Sequence, residues 1–148
     1  MKHIFPFTLK PLLFLMIIMV LSCNSLMSTF DQTAYSQVTS LKVDALDLMD
    51  KSVEDYTSHD ADVKALQLKI SKAIEYDKHR PNNTITNKMW DILNDPNGHL
   101  LGGFFVKWKK DGKEGSAYIM EKKKQIGGSF DQIAELESKK IKPSQVSN

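Results

Sequence analysis

Few residues of this 148-residue chain have the type and spacing that chemistry demands. His59, Asp60 and Asp62 form the best cluster of metal-ligating types, but two acids at a helix start are what a cap and a macrodipole require. His79 suits a helix C-terminus in the same way. Asp44, Asp47, Glu54 and Asp55 recur along one helical side, where a solvated acidic face is expected rather than a general acid–base pair in a desolvated cleft. Gly98-His99-Leu100-Leu101-Gly102-Gly103 is glycine-rich but holds no Lys for a phosphate, so a turn with tight backbone packing is expected. The nucleophile elbow, the phosphate-binding loop and the dinucleotide fingerprint are absent from the sequence. The expectation is therefore no catalytic set, no cofactor and no metal. Trp90, Phe104, Phe105 and Trp108 are the densest aromatic group, read as core or as a candidate partner surface.

The single Cys ends a different pattern. Met1 to Pro11 carries Lys2, His3 and Lys10 and no acid, and Leu12 to Leu21 is an unbroken apolar run of ten residues. A positive start, a short apolar core and a small residue before a cut site make a secretory signal peptide. Ten residues at about 1.5 Å each cover roughly half of a bilayer core, too little for a span.

Val20-Leu21-Ser22-Cys23 resembles the lipobox of bacterial lipoproteins, with an aliphatic residue at −3, a small residue at −1 and then Cys. Val stands at −3 where Leu is commoner, and Leu at −2 where a small residue is usual. The resemblance covers the export segment alone. It implies cleavage before Cys23, a thioether-linked diacylglycerol on that residue and acylation of its new amine. By the enteric sorting rule, Asn24 after the Cys implies the outer membrane, with the protein facing the periplasm or the cell surface. Two or three chains anchor a protein stably, whereas one gives marginal binding.

The organisation expected is a signal peptide over 1–22, a tether over 23–29, a helical domain over 30–141 and a polar tail over 142–148. Residues 23–148 balance Lys plus Arg against Asp plus Glu, so the +2 of the whole chain belongs to the export signal. Such a neutral domain does not fit nucleic acid, which calls for a strong basic excess. The charge is nevertheless split: residues 23–62 are acidic and residues 107–148 basic. The acidic first helix is expected beside the basic last third, with Lys122-Lys123-Lys124 as a solvated run or a patch for anionic lipid or an acidic partner. With Cys23 in the anchor, no disulfide is available and stability must come from packing.

The elements that must position these residues read as helices. Phe30 to Tyr56 contains no Gly or Pro, and Ala34, Val38, Leu41, Ala45, Leu48 and Ser52 step by four and three. Ser28 or Thr29 is the expected cap. A second helix, from about Asp60 to His79, places Val63, Leu66, Ile70, Ala73 or Ile74, and Asp77 on the same rhythm. The short connection makes it an antiparallel neighbour of the first. Arg80-Pro81 stops it. Thr84 or Thr86 caps a short third helix, His99 to Lys110 forms a fourth, and Ser116 caps a last one through about Ile141. Gly127-Gly128 predicts a kink in that helix. The fold class expected is all-α, with a long N-terminal helix in a hairpin. The alternative is α+β, with a β-hairpin near 104–120 about the Asp111-Gly112 turn.

The function these features imply is a lipid-anchored cell-envelope protein acting as a non-enzymatic binding or structural module. Its expected partners are the membrane and a protein, which includes self-association. The alternative is an inhibitor or immunity-type lipoprotein that neutralises an envelope toxin or hydrolase. A third reading is an envelope enzyme drawing on Asp60, Asp62 and His99.

Overall fold

A computed structural model of the chain describes residues 28–138 and 145–146. The signal segment, Cys23, residues 24–27 of the tether and most of the C-terminal tail lie outside the described residues. Five α-helices and no strand occur among the described residues, so the fold is all-α. They are α1 (Gln32–Asp50), α2 (Asp60–Lys78), α3 (Thr84–Asn94), α4 (Leu101–Asp111) and α5 (Ser116–Glu137). The hairpin considered over 104–120 is instead the body of α4, the turn at Gly112 and the start of α5.

The three long helices form an antiparallel bundle. Lys69 of α2 meets Asp44 of α1 at 2.8 Å, and Tyr76 reaches back to Asp31. Along the other side of α1, Lys42 bonds Asp131 and Asp50 bonds Lys123, so α5 also runs against it. The expected complementarity of acidic and basic thirds holds for Asp50–Lys123 and is reversed for Lys42–Asp131. Both are exposed pairs, which fix register more than they stabilise. Short α3 bridges α2 and α5, and α4 packs on α3 and on the α1–α2 connection.

Every position of the 4-3 stripe is buried: Ala34, Val38, Leu41, Ala45, Leu48 and Ser52. Val63, Leu66, Ile70 and Ala73 face them from α2, and Ile126, Phe130 and Ile133 from α5. Trp90 meets Phe130 edge to face, with ring centroids 6.0 Å apart.

The first helix starts and ends inside the predicted limits. Asp31 itself is the cap, accepting from the Ala34 N–H at 2.9 Å, so Ser28 and Thr29 stand outside the helix. Beyond Asp50 the chain leaves α-geometry for two 3-10 turns, Lys51–Val53 and Tyr56–Ser58. The cause is tertiary. The Ser52 carbonyl accepts from the Glu114 N–H, and the Tyr56 N–H donates to the Gly112 carbonyl, so this segment pairs with the α4–α5 loop instead of continuing α1. Gly112 there has φ +79°, a conformation that favours glycine.

Two further expectations were off by local detail. Asn83 and Gly115, not the neighbouring hydroxyl residues, occupy the cap positions of α3 and α5. Gly127-Gly128 does not interrupt α5, which stays one helix from Ser116 to Glu137. Gly127 lies against the Leu46 and Lys42 side chains of α1, whereas Gly128 faces open space. The Gly98–Gly103 segment is tight packing, as its composition suggests. A Cβ on Gly103 would stand 1.8 Å from the Gly98 carbonyl oxygen, and one on Gly102 2.4 Å from that of Asn94.

Candidate functional site

The most concentrated chemistry sits where the chain enters the bundle. Asp77 is the last member of the apolar stripe of α2, which carries its carboxylate into the interior. Arg80 follows three residues later, where Pro81 ends the helix. Glu137 closes α5 and arrives beside both. The Arg80 guanidinium donates to Asp77 Oδ1 at 3.0 Å, to Glu137 Oε2 at 2.5 Å and to the Thr29 carbonyl at 2.9 Å. Its Nε lies 3.9 Å from Asp31 Oδ2. Both carboxylate side chains are 2% exposed and the guanidinium 9%.

The remaining lone pairs are also occupied. Trp90 Nε1 donates to Asp77 Oδ2 at 2.7 Å, the Asn83 amide donates to the Asp77 carbonyl, and Thr86 Oγ1 donates to Glu137 Oε1. A planar fork of donors suits this geometry, because it can serve two carboxylates and a carbonyl at once. Burial pushes the Glu137 carboxyl up, and the Arg80 hydrogen bond and charge only partly oppose it. Burial works against the Arg80 charge, but hydrogen bonds to Glu137 and Asp77 outweigh it and raise the guanidinium further. Asp31 is held low, first by the Ala34 N–H, with Tyr76 and Arg80 adding to the effect. A recess of about 10 Å³ borders the network, lined by Ser28, Asn83, Thr86 and Glu137 among others, and offers room for roughly one water.

A second cluster lies at the α1–α2 connection. His59 Nε2 faces Glu54 at 3.0 Å and Nδ1 faces Asp62 at 3.3 Å, and the ring lies against Trp108 with centroids 5.7 Å apart. Bonding both carboxylates requires both ring nitrogens to donate, which is the imidazolium form. The hydrogen bond to Glu54 accordingly raises His59 above the ordinary imidazole value, against a smaller opposing effect of burial, and Asp62 adds to the rise. Trp108 Nε1 donates to the Glu54 carbonyl at 3.1 Å, and the Tyr56 ring packs edge-on against the indole. Asp60 pairs with Lys64 in the first turn of α2, as a dipole partner should.

The aromatic group needs correcting as a partner surface. Trp90, Phe104, Phe105 and Trp108 are all buried, and each lies in the central apolar cluster. Their indole N–H groups are committed to Asp77 and the Glu54 carbonyl. They hold α3 and α4 onto the bundle, and a partner must meet other residues. Lys122 and Lys123 are likewise engaged, with the His99 carbonyl and Asp50 respectively, so the lysine run serves partly as a clasp between elements. The acidic side of α1 is exposed at Asp47, while Asp44 pairs with Lys69. His79 bonds Glu75 on the surface.

Among the described residues no group of three or more His, Cys, Asp or Glu could hold a metal ion. No helix among them is long and apolar enough to cross a membrane. Sequence reasoning found Asp77 at a buried position but missed its partners. Arg80 at i+3 was within reach of inspection, whereas Glu137 and Trp90 join it only through the packing of α5 and α3. Compared with known proteins, the chain matches no family model, no curated protein and no solved structure.

Proposed function

We propose that this chain is a lipid-anchored cell-envelope protein whose helical domain works as a binding or structural module rather than as an enzyme. The observation that carries the reading is Cys23, the sole Cys, standing directly after a positive start and a ten-residue apolar core in a lipobox-like setting. The geometry is consistent with that use. Only a few residues separate Cys23 from Thr29, whose carbonyl is bonded to Arg80, so the fold begins almost at the attachment point. The polar network supports the non-enzymatic half of the reading: Asp77, Arg80, Glu137, Thr86, the Trp90 N–H and the Thr29 carbonyl bind one another and join four segments of chain.

The test has two arms. Cys23→Ala should move the protein from the membrane fraction to the soluble fraction and abolish incorporation of labelled fatty acid. Unchanged lipid labelling in that variant would overturn the anchor. Photo-crosslinkers at Val43 on α1 and Leu68 on α2, both exposed apolar positions, should give a discrete adduct in cells. A clean monomer at both positions would overturn the binding role.

A further inference from the structure

The structure fixes the end of the bundle at which the N-terminal segment enters the domain. Arg80 holds the Thr29 carbonyl, Asp31 caps α1, and the Tyr76 hydroxyl donates to Asp31 at 2.9 Å. The entry of the chain is thus bonded to the C-terminal end of α2 and, through Glu137, to the C-terminal end of α5. Five peptide units separate Cys23 from Ser28, with a reach of about 17 Å. The opposite end of α1 lies roughly 28 Å away along its 19 residues. Val53 and Met120 line an open groove there together with Asp50 and Lys123.

The near end carries side chains suited to a bilayer interface. Phe30 is 52% exposed beside the chain entry, with its ring 6.4 Å from that of Tyr35. Tyr76 exposes part of its ring while its hydroxyl stays bonded. Exposed Lys78 and His79 close α2 on the same side. Its charges lean acidic, Asp31, Asp77 and Glu137 sharing Arg80 while Glu75 pairs with His79. Attraction there comes from amphipathic aromatic rings at headgroup depth more than from net charge.

We infer that the end of the bundle bearing Phe30, Tyr76 and Lys78 rests on the headgroup region of the membrane that carries the anchor, with the Val53–Met120 end turned away from it. The Arg80 clamp on the Thr29 carbonyl fixes where the chain enters the domain, so the short tether starts from this end of the bundle and keeps it nearer the anchor than the far end. The far groove then faces outward, toward whatever the anchored domain meets.

This inference rests on lipidation of Cys23, and the experiment separates the two. Full-length lipidated protein is reconstituted into phosphatidylethanolamine–phosphatidylglycerol vesicles, and its intact mass is measured. Single cysteines are introduced by Lys78→Cys and Thr84→Cys at the near end, and by Val53→Cys and Met120→Cys at the far end. The native thiol is consumed by the lipid, so an environment-sensitive fluorophore reports one site at a time. The near-end labels should be quenched by brominated lipid and be several-fold less accessible to iodide than the far-end labels. Equal quenching at the two ends in protein of lipidated mass would overturn the orientation alone. Protection from iodide at the near end without quenching by brominated lipid would mean a protein contact there, and would also overturn it. An unmodified Cys23 mass would overturn the anchor and the orientation together.

Discussion

Replacing Arg80 by Leu isolates the central energetic claim. Among the described residues the guanidinium is the one cation between two carboxylates that are each 2% exposed, and it also holds the Thr29 carbonyl. Removing it leaves Asp77 and Glu137 buried together without a counter-charge. Breaking a buried ion pair from one side typically costs about 3–5 kcal/mol. Against a total stability of about 5–15 kcal/mol for a domain, that is a large fraction. At about 3–6 °C per kcal/mol for a chain of this size, the melting temperature should fall by roughly 10–30 °C. The pH dependence identifies the cause. Glu137 is already raised by burial in the native protein, and in the variant it loses the Arg80 hydrogen bond and charge that oppose the rise. A carboxyl with a raised folded pKa contributes stability that is full below its unfolded value and is lost as pH rises through the folded one. The deficit of Arg80→Leu should therefore be larger at pH 8 than at pH 5 in urea unfolding. The combination Asp77→Asn, Arg80→Leu, Glu137→Gln should recover part of the loss, because no buried charge remains while Trp90 keeps an acceptor. A deficit below about 1 kcal/mol at pH 8 would place the network among ordinary surface pairs and refute the reasoning. A deficit that does not shrink at pH 5 would refute the electrostatic cause.

Three other substitutions probe separate parts of the fold. Gly103→Ala drives a methyl into the Gly98 carbonyl and should cost at least about 1–3 kcal/mol in urea unfolding, because backbone must move. Gly128→Ala, whose Cβ meets nothing within 4 Å, should stabilise by about 0.5–1 kcal/mol by restoring helix propensity. A Gly103→Ala variant as stable as the native protein would show that the packing assigned to the Gly98–Gly103 turn is wrong, and a destabilised Gly128→Ala variant that Gly128 is not in open space. His59 is raised by its bond to Glu54, so its contribution is full below the ordinary imidazole value of 6.5 and fades as pH rises through the folded value. The stability advantage of the native protein over His59→Gln should shrink between neutral and mildly alkaline pH, read from paired unfolding curves. A constant difference across that range would argue against the charged His59 bridge.

The part of the fold legible in sequence is the part set by local periodicity. The 4-3 stripe of α1 is buried residue by residue, and the Pro81 stop falls where steric exclusion requires it. What was misread depends on contacts distant in sequence. The first helix ends at Asp50 although nothing between 51 and 56 forbids helix, because Glu114 and Gly112 offer that segment other backbone partners. The two glycines in α5 break nothing, and Gly127 lies against Leu46 and Lys42 of α1. Trp90, Phe104, Phe105 and Trp108 read equally well as core or as surface, since a short aromatic-rich helix shows its burial only when its neighbours are placed. Short α3 and α4 are covered by α5, α2 and the α1–α2 connection, and that settles the four side chains inside.

The charged core shows the same limit from the opposite side. An Asp on an otherwise apolar stripe is itself a signal, because a lone buried carboxylate is too costly to persist unpartnered. Asp77 therefore announced a cation or strong donors nearby, and Arg80 supplied the local half. The other half came from residues 57 and 13 positions away, Glu137 from Arg80 and Trp90 from Asp77. The network carries two acids against one base, so packing apolar residues there could match its stability at lower electrostatic cost. What an apolar cluster would lack is direction. It would not hold the Thr29 carbonyl at one angle to the ends of α2 and α5. The network thereby fixes the chain entry against the ends of α2 and α5, a specification that apolar packing alone would not supply.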